Sequence, residues 1–141
     1  MKILIPVDGS DSANRAVYQV IATASLLKDV PKIFLVNVQW NIASGNVKLF
    51  ISHKTIDDYY REQGLAALAA VRKKLDVTGL AYSYHISIGT PAEAIVQYAQ
   101  EQQVDQIIMG AHGQNALSAL LLGSVVNKVL HLANVPVLLV K

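Results

Sequence analysis

Two short stretches carry the residue types best suited to chemistry: Met109-Gly110-Ala111-His112-Gly113, and Gly123-Ser124-Val125 further on. Together they spell G-x2-G-x9-G-S, set between an apolar run from Val104 to Met109 and an apolar-periodic run from Val125 to Ala133. The chemistry such a pattern suits is the holding of phosphate. Glycine has no Cβ, so the backbone can turn with positive φ and approach a ligand closely, with successive N–H groups aimed at an anion's oxygens. A helix beginning near Ser124 adds unpaired N–H groups and the positive end of its dipole. The same spacing also fits a plain strand-to-loop turn at Gly110 and Gly113 followed by an ordinary helix start. The rest of the chain has to decide between them.

Several other chemistries are excluded by what the 141 residues lack. There is no cysteine, hence no disulfide framework and no thiolate. His53, His85 and His131 show no metal-ligand spacing with one another or with carboxylates. No Ser/His/Asp order supports a nucleophilic triad, and the glycine loop lacks the lysine of G-x4-G-K-[ST]. The stretch Val7-Asp8-Gly9-Ser10-Asp11-Ser12 is reminiscent of the S-G-G-x-D-S loop of ATP pyrophosphatases, but the paired glycines are missing. A net charge of +2 is too small to imply nucleic acid, and Arg72-Lys73-Lys74 reads as a solvated helix end. Hydrophobic residues make up 52% and charged residues 16%, the balance of a layered domain rather than a disordered one. No apolar run approaches the ~18 residues of a membrane span, and Ile3-Leu4-Ile5 runs straight into Pro6 and Asp8 instead of a secretory core. A cytoplasmic protein without membrane contact is expected.

The elements that must position the glycine loop alternate in type. Lys2 to Val7 is a short apolar strand, ended by Asp8-Gly9-Ser10, whose polar side chains are candidate caps for a helix from Ser12 to Lys28. Ala13, Ala16, Val17, Val20, Ile21, Ala24 and Leu27 share one face of that helix. After Pro31, Ile33 to Val38 reads as a buried central strand. Asn41 to Lys54 is expected to be a surface loop, and Thr55 with Asp58 a partial capping box opening a long helix to Leu75. Gly79 stops it. Tyr82, Tyr84, Ile86 and Ile88 then alternate with polar or small residues, as in a half-exposed edge strand. Thr90, Pro91 and Glu93 open a helix to about Gln103 as N-cap, first residue and box partner. The Val104–Met109 strand, a helix from Ser124 to Ala133 capped by Ser124, and a terminal strand Val137–Val140 complete the chain.

The sum, β-α-β-α-β-α-β-α-β, predicts one α/β domain over residues 1–141: an open, five-stranded parallel sheet with helices on both faces. Ligands in such sheets bind beyond the carboxyl ends of the strands, where the winding reverses. Asp8-Gly9-Ser10 and Gly110 to Gly113 share one crevice if the first and fourth strands are neighbours.

These residues resemble, over essentially the whole chain, a small member of the universal stress protein family. The resemblance is carried by Ile3-Leu4-Ile5-Pro6-Val7-Asp8-Gly9-Ser10, by Gly89-Thr90-Pro91, by the glycine loop with its ATP-binding-branch spacing, and by Val135-Pro136-Val137-Leu138-Leu139-Val140. It implies a Rossmann-like fold of the adenine nucleotide alpha hydrolase type and a site for ATP with Mg²⁺. Pro6, Val7 and Asp8 would flank the nucleotide, with Asp8 near the ribose or the phosphate-bound metal. Val38 would offer main-chain contacts to adenine. Met109, Gly110, His112 and Gly113 would line the ribose-phosphate path, and Gly123, Ser124 and Val125 the β- and γ-phosphates. Members often carry Arg where His112 stands, a weaker and titratable partner for phosphate. The expected role is a nucleotide-dependent regulatory switch in stress response, with slow ATP turnover at most. The terminal strand, four apolar residues that would leave a sticky sheet edge, is expected to pair residues 136–140 with a two-fold mate in a homodimer, as is usual in that family. The alternative is an interaction protein of the same fold with a vestigial pocket, in which Leu117, Leu120, Leu121 and Leu122 meet an unknown protein partner.

Overall fold

The computed structural model describes residues 1–41, 53–113 and 122–141. Residues 42–52 of the expected surface loop, and Leu117, Leu120 and Leu121 of the leucine cluster, lie outside the described residues. The elements run β1 (Lys2–Pro6), α1 (Asp11–Ala24), β2 (Lys32–Gln39), α2 (His53–Asp76), β3 (Tyr82–Ile88), α3 (Pro91–Gln102), β4 (Gln106–Gly110), α4 (Ser124–Leu132) and β5 (Val137–Val140). All five strands are parallel, in the order β3-β2-β1-β4-β5. This is the expected α/β architecture.

Strand alternation builds two cores from one sheet. Because successive side chains point to opposite faces, Ile3, Ile5, Ile33 and Leu35 lie on one side, packed against Ala16, Val17 and Val20 of α1 and Leu68, Val71 and Leu75 of α2. Leu4, Phe34, Val36, Ile107 and Met109 lie on the other, under Ile95 and Ala99 of α3 and Val126 and Val129 of α4. The chain winds one way from β1 through β2 to β3, then returns past β1 to add β4 and β5. The reversal therefore falls between β1 and β4, which pair through Ile3↔Gln106 and Leu4↔Ile107. Their loops share a rim.

Element ends depart from expectation for local reasons. α1 stops at Ala24, and Leu27 is 38% exposed rather than on the buried face. Past that point the bonds tighten to three-residue turns, Leu26 N–H to Thr23 O and Leu27 N–H to Ala24 O, while the Thr23 hydroxyl donates to the Gln19 carbonyl. α2 begins at His53, so Thr55 is inside its first turn and does not cap it. Thr90 occupies the N-cap of α3 without a side-chain bond, and Glu93 pairs with Lys128 instead of closing a box. That pair links α3 to α4 and holds the Glu93 carboxyl below the usual range. β4 starts at Gln106, because the Val104 N–H still donates to Ala99 O at the helix end.

β3 is an edge strand, as its alternation predicts. Tyr84 is covered by Arg72, whose guanidinium carbon sits 4.2 Å from the ring centroid. Lys73 and Lys74 are exposed at the end of α2, but Arg72 is half-buried rather than solvated, and a hydrogen bond with Tyr82 favours its charged form. Among the described residues, no helix is long and apolar enough to cross a membrane.

One contact sets how closely α1 approaches the sheet end. A Cβ built on Gly110 would lie 2.5 Å from the Ser12 carbonyl carbon and 2.5 Å from its Oγ. Gly110→Ala must push backbone apart, at a cost of about 1–3 kcal/mol, and should lower Tm by roughly 4–10 °C in a thermal melt.

Candidate functional site

At the carboxyl ends of β1, β2 and β4 the sheet opens into a cleft of ≈ 790 Å³. That is within the range of small-molecule sites. Pro6, Val7, Asp8, Val38, Met109, Gly110, His112, Gly113, Gly123, Ser124 and Val125 all line it. The eleven residues come from four separate stretches, and the β1–β4 pairing is what brings the first stretch to the third.

The end of β1 turns sharply into α1. Asp8 Oδ1 accepts from the Ser10 N–H at 2.9 Å, Gly9 takes φ +85°, and the Ser10 hydroxyl oxygen accepts from the Ala13 N–H at 3.2 Å. Ser10, then, caps the helix, while Asp8 shapes the turn before it. The other carboxylate oxygen, Asp8 Oδ2, faces the glycine loop: a Cβ on Gly113 would stand 3.0 Å from it. The two loops touch across the crevice.

The glycines serve close approach, not positive φ. Neither Gly110, Gly113 nor Gly123 lies in the left-handed region. Gly110 makes room for Ser12, and Gly113 for Asp8. Gly123, at φ −59° and ψ 150°, has no contact closer than 3.6 Å for an added Cβ among the described residues, so none of them requires a glycine there. Its N–H is already committed to Ala111 O at 3.1 Å, a bond that clamps the two ends of the 111–123 connection together. Gly123, not Ser124, is the N-cap of α4, since its carbonyl accepts the Asn127 N–H at 3.0 Å. Among the described residues, no side chain caps this helix. The first-turn N–H groups of Ser124, Val125 and Val126 find no backbone acceptor among the described residues either, and these three residues line the cleft.

The β2 end supplies a second set of main-chain groups. Alternate residues of a strand turn their N–H and C=O to the same edge. Val36 O accepts from the Val7 N–H at 2.8 Å, whereas Gln39 O accepts from the Gly89 N–H at 2.9 Å on the β3 side. Val38 therefore faces the β1 edge, one step beyond the last β1 pairing, and opens its main chain to the cleft.

His112 is half-buried, with its N–H 3.4 Å from Ser12 Oγ and its Nδ1 buried without a partner among the described residues. Asp8 is the one acidic side chain among the described lining residues, and none is Lys or Arg. No group of three or more His, Asp or Glu among the described residues could hold a metal ion. A divalent cation here would depend chiefly on oxygens that a ligand brings, with Asp8 the available protein carboxylate.

Sequence reasoning missed part of the wall. Asn37 and Gln39 line the cleft behind Val38, and Trp40, Tyr59, Tyr60 and Gln63 form its side. Asn37 is 2% exposed; its amide donates to Val7 O at 2.8 Å and its carbonyl oxygen accepts from Gln39 Nε2 at 2.6 Å. A single amide inside the apolar run Ile33–Val38 was the available signal for it. Tyr59 and Tyr60 meet edge to face at 5.8 Å and have no local motif; only the docking of α2 brings them to the site.

The universal stress protein family model matches residues 1–141, the whole chain. The chain belongs to this family. The universal stress protein MJ0531 of Methanocaldococcus jannaschii is 35% identical, covering 99% of this chain and 81% of its own. The solved structure of MJ0577, from the same organism, superposes with a TM-score of 0.83 at 32% identity, covering 99% of this chain and 94% of the other. A family member from Arabidopsis thaliana, solved with AMP bound, shares the fold at a TM-score of 0.71 and 21% identity, covering 100% of this chain and 91% of that one.

The buried amide of this universal stress protein is testable on its own. Asn37→Val removes the partner of the Val7 carbonyl and of the Gln39 amide, which should cost about 1–3 kcal/mol. Urea unfolding should show a lower midpoint with an unchanged slope.

Proposed function

We propose that this universal stress protein is a nucleotide-dependent regulatory protein that binds an adenine nucleotide, ATP with Mg²⁺ in particular, in the cleft above β1, β2 and β4. The observation that carries the reading is convergence: four stretches of chain meet at the sheet's reversal point, where the first turn of α4, without a side-chain cap among the described residues, lines the same cleft as Val38. The ends of the cleft suit the ends of a nucleotide. Ser124 and Val125 with the α4 dipole meet the phosphates, the Val38 main chain meets the base, and Pro6, Val7, Asp8, Met109, Gly110, His112 and Gly113 flank the sugar and the path between. Further support comes from relatives of the same fold whose structures were solved with AMP and with dAMP.

The group fits this chain's donor set in a particular way. With no lysine or arginine among the described lining residues, phosphate charge is met by backbone dipoles and by the magnesium that arrives with it. Asp8 would face that metal. A hydrolase needs a cation for charge developing on the γ-phosphate and a group that orients water, and the described lining offers little of either, so ATP turnover is slow at most. The protein acts in the cytoplasm, as a homodimer that pairs β5 with its two-fold mate; Leu138 on this edge strand is 44% exposed.

Calorimetric titration with Mg-ATP, ADP and AMP, with acid extraction and chromatography of the purified protein, tests the reading. Gly123→Val should weaken Mg-ATP binding by at least about tenfold while Tm stays within a few degrees, because an added Cβ meets the described residues only at ordinary van der Waals distances of 3.6 Å and more. Undiminished binding by that variant, or no nucleotide retained or bound by the wild type, overturns it. Trp40, the sole tryptophan of the chain, lies in the cleft wall and is 61% exposed; its emission should change on titration with Mg-ATP. Leu138→Lys should halve the mass measured by light scattering, and an unaltered dimer would refute strand pairing.

A further inference from the structure

We infer that Gln39 presents a fixed hydrogen-bond acceptor to the cleft, which selects a purine carrying an amino group at position 6 over one carrying an oxygen there. The inference rests on the nucleotide reading above and adds to it the residue that discriminates between bases.

The orientation follows from hydrogen-bond polarity. The Val7 carbonyl oxygen can only accept, so the Asn37 atom 2.8 Å from it must be the NH₂. Asn37 is buried, and its side chain cannot turn over without setting oxygen against oxygen. Its Oδ1 is thereby turned toward Gln39 as an acceptor, and the Gln39 atom 2.6 Å away must be its own NH₂. This settles both amides by chemistry rather than by their shape, which is nearly symmetric. Gln39 Oε1 is left as the end of the relay, and no donor among the described residues reaches it. The base of the side chain is equally constrained, since Gln39 O accepts from the Gly89 N–H at 2.9 Å and Gln39 pairs with Ile88 in the ladder. A half-buried glutamine of the cleft wall thus offers an acceptor whose position and polarity are set from the β1 backbone.

An acceptor beside Val38, where the base is placed, requires a donor on the ligand. The 6-amino group of adenine is one. The 6-oxo group of hypoxanthine or guanine would bring a second oxygen to the same place, and the relay forbids Gln39 from rotating its NH₂ into position without breaking its bond to Asn37. Asn37 is a positioning residue in this account and Gln39 the discriminating one.

ATP and ITP differ in just this group at position 6 of the purine, so calorimetric titration with each, in the presence of Mg²⁺, reads the inference directly. The wild type should bind ATP at least about tenfold more tightly than ITP. Gln39→Met, of similar length but without the acceptor, should bring that ratio below about threefold, with Gln39→Ala as a second variant and thermal melts confirming that each is folded. Equal affinity of the wild type for the two nucleotides overturns the inference and leaves the nucleotide reading standing. A ratio that survives in the folded variants does the same, by assigning selection to the Val38 main chain. Binding of neither nucleotide overturns both.

Discussion

The arrangement depends on one place where backbone meets backbone. Gly110 ends β4 against Ser12, at a distance that leaves no room for a side chain. Because of that contact the start of α1 sits directly over the end of β4, and the turn between β1 and α1 is brought against the loop that follows β4. Asp8 then stands beside Gly113, His112 lies beside Ser12, and the Ala111 carbonyl holds Gly123 at the mouth of α4. A methyl group at position 110 would push these partners apart until ordinary contact distance is restored. The cleft is in this sense a consequence of tight packing.

Most of the fold was legible because its signals are local and repeated. Apolar runs of five or six residues between helical periods give parallel strands, and the alternation of the two gives a sheet covered on both sides. Gly79 marked the stop after α2 and Pro91 the start of α3. The boundaries set by side-chain caps were less legible: Thr55 and Ser124 lie inside their helices, and Thr90 holds the N-cap position of α3 without a side-chain bond. A hydroxyl caps a helix when the preceding chain approaches at the right angle, and that angle is fixed by tertiary packing. Ser10 caps α1 because the Asp8 turn delivers it there.

The site was legible where it is made of backbone and illegible where it is made of packing. Glycines at 110, 113 and 123 advertise themselves in a sequence; none of them takes a left-handed turn in this structure, and proximity is the need at 110 and 113. Val38 was singled out through family resemblance; the openness of its main chain has a simple geometric cause, β2 running three residues past its last pairing with β1. Asn37, Gln39, Tyr59 and Tyr60 were hidden for different reasons. The first two look like minor interruptions of a strand until the Val7 carbonyl is placed beside them. The tyrosines belong to a helix whose facing sheet edge no local pattern specifies.

The described lining of the cleft, bare of lysine and arginine, has a bearing on kinetics as well as on affinity. Dipoles fall off with distance faster than charges do, so an anion approaching this surface is not drawn in from afar. An anion held in such a lining would rest on short contacts rather than on paired side-chain charges. Its affinity would then change little with ionic strength, since salt screens close, partly buried contacts far less than exposed charges.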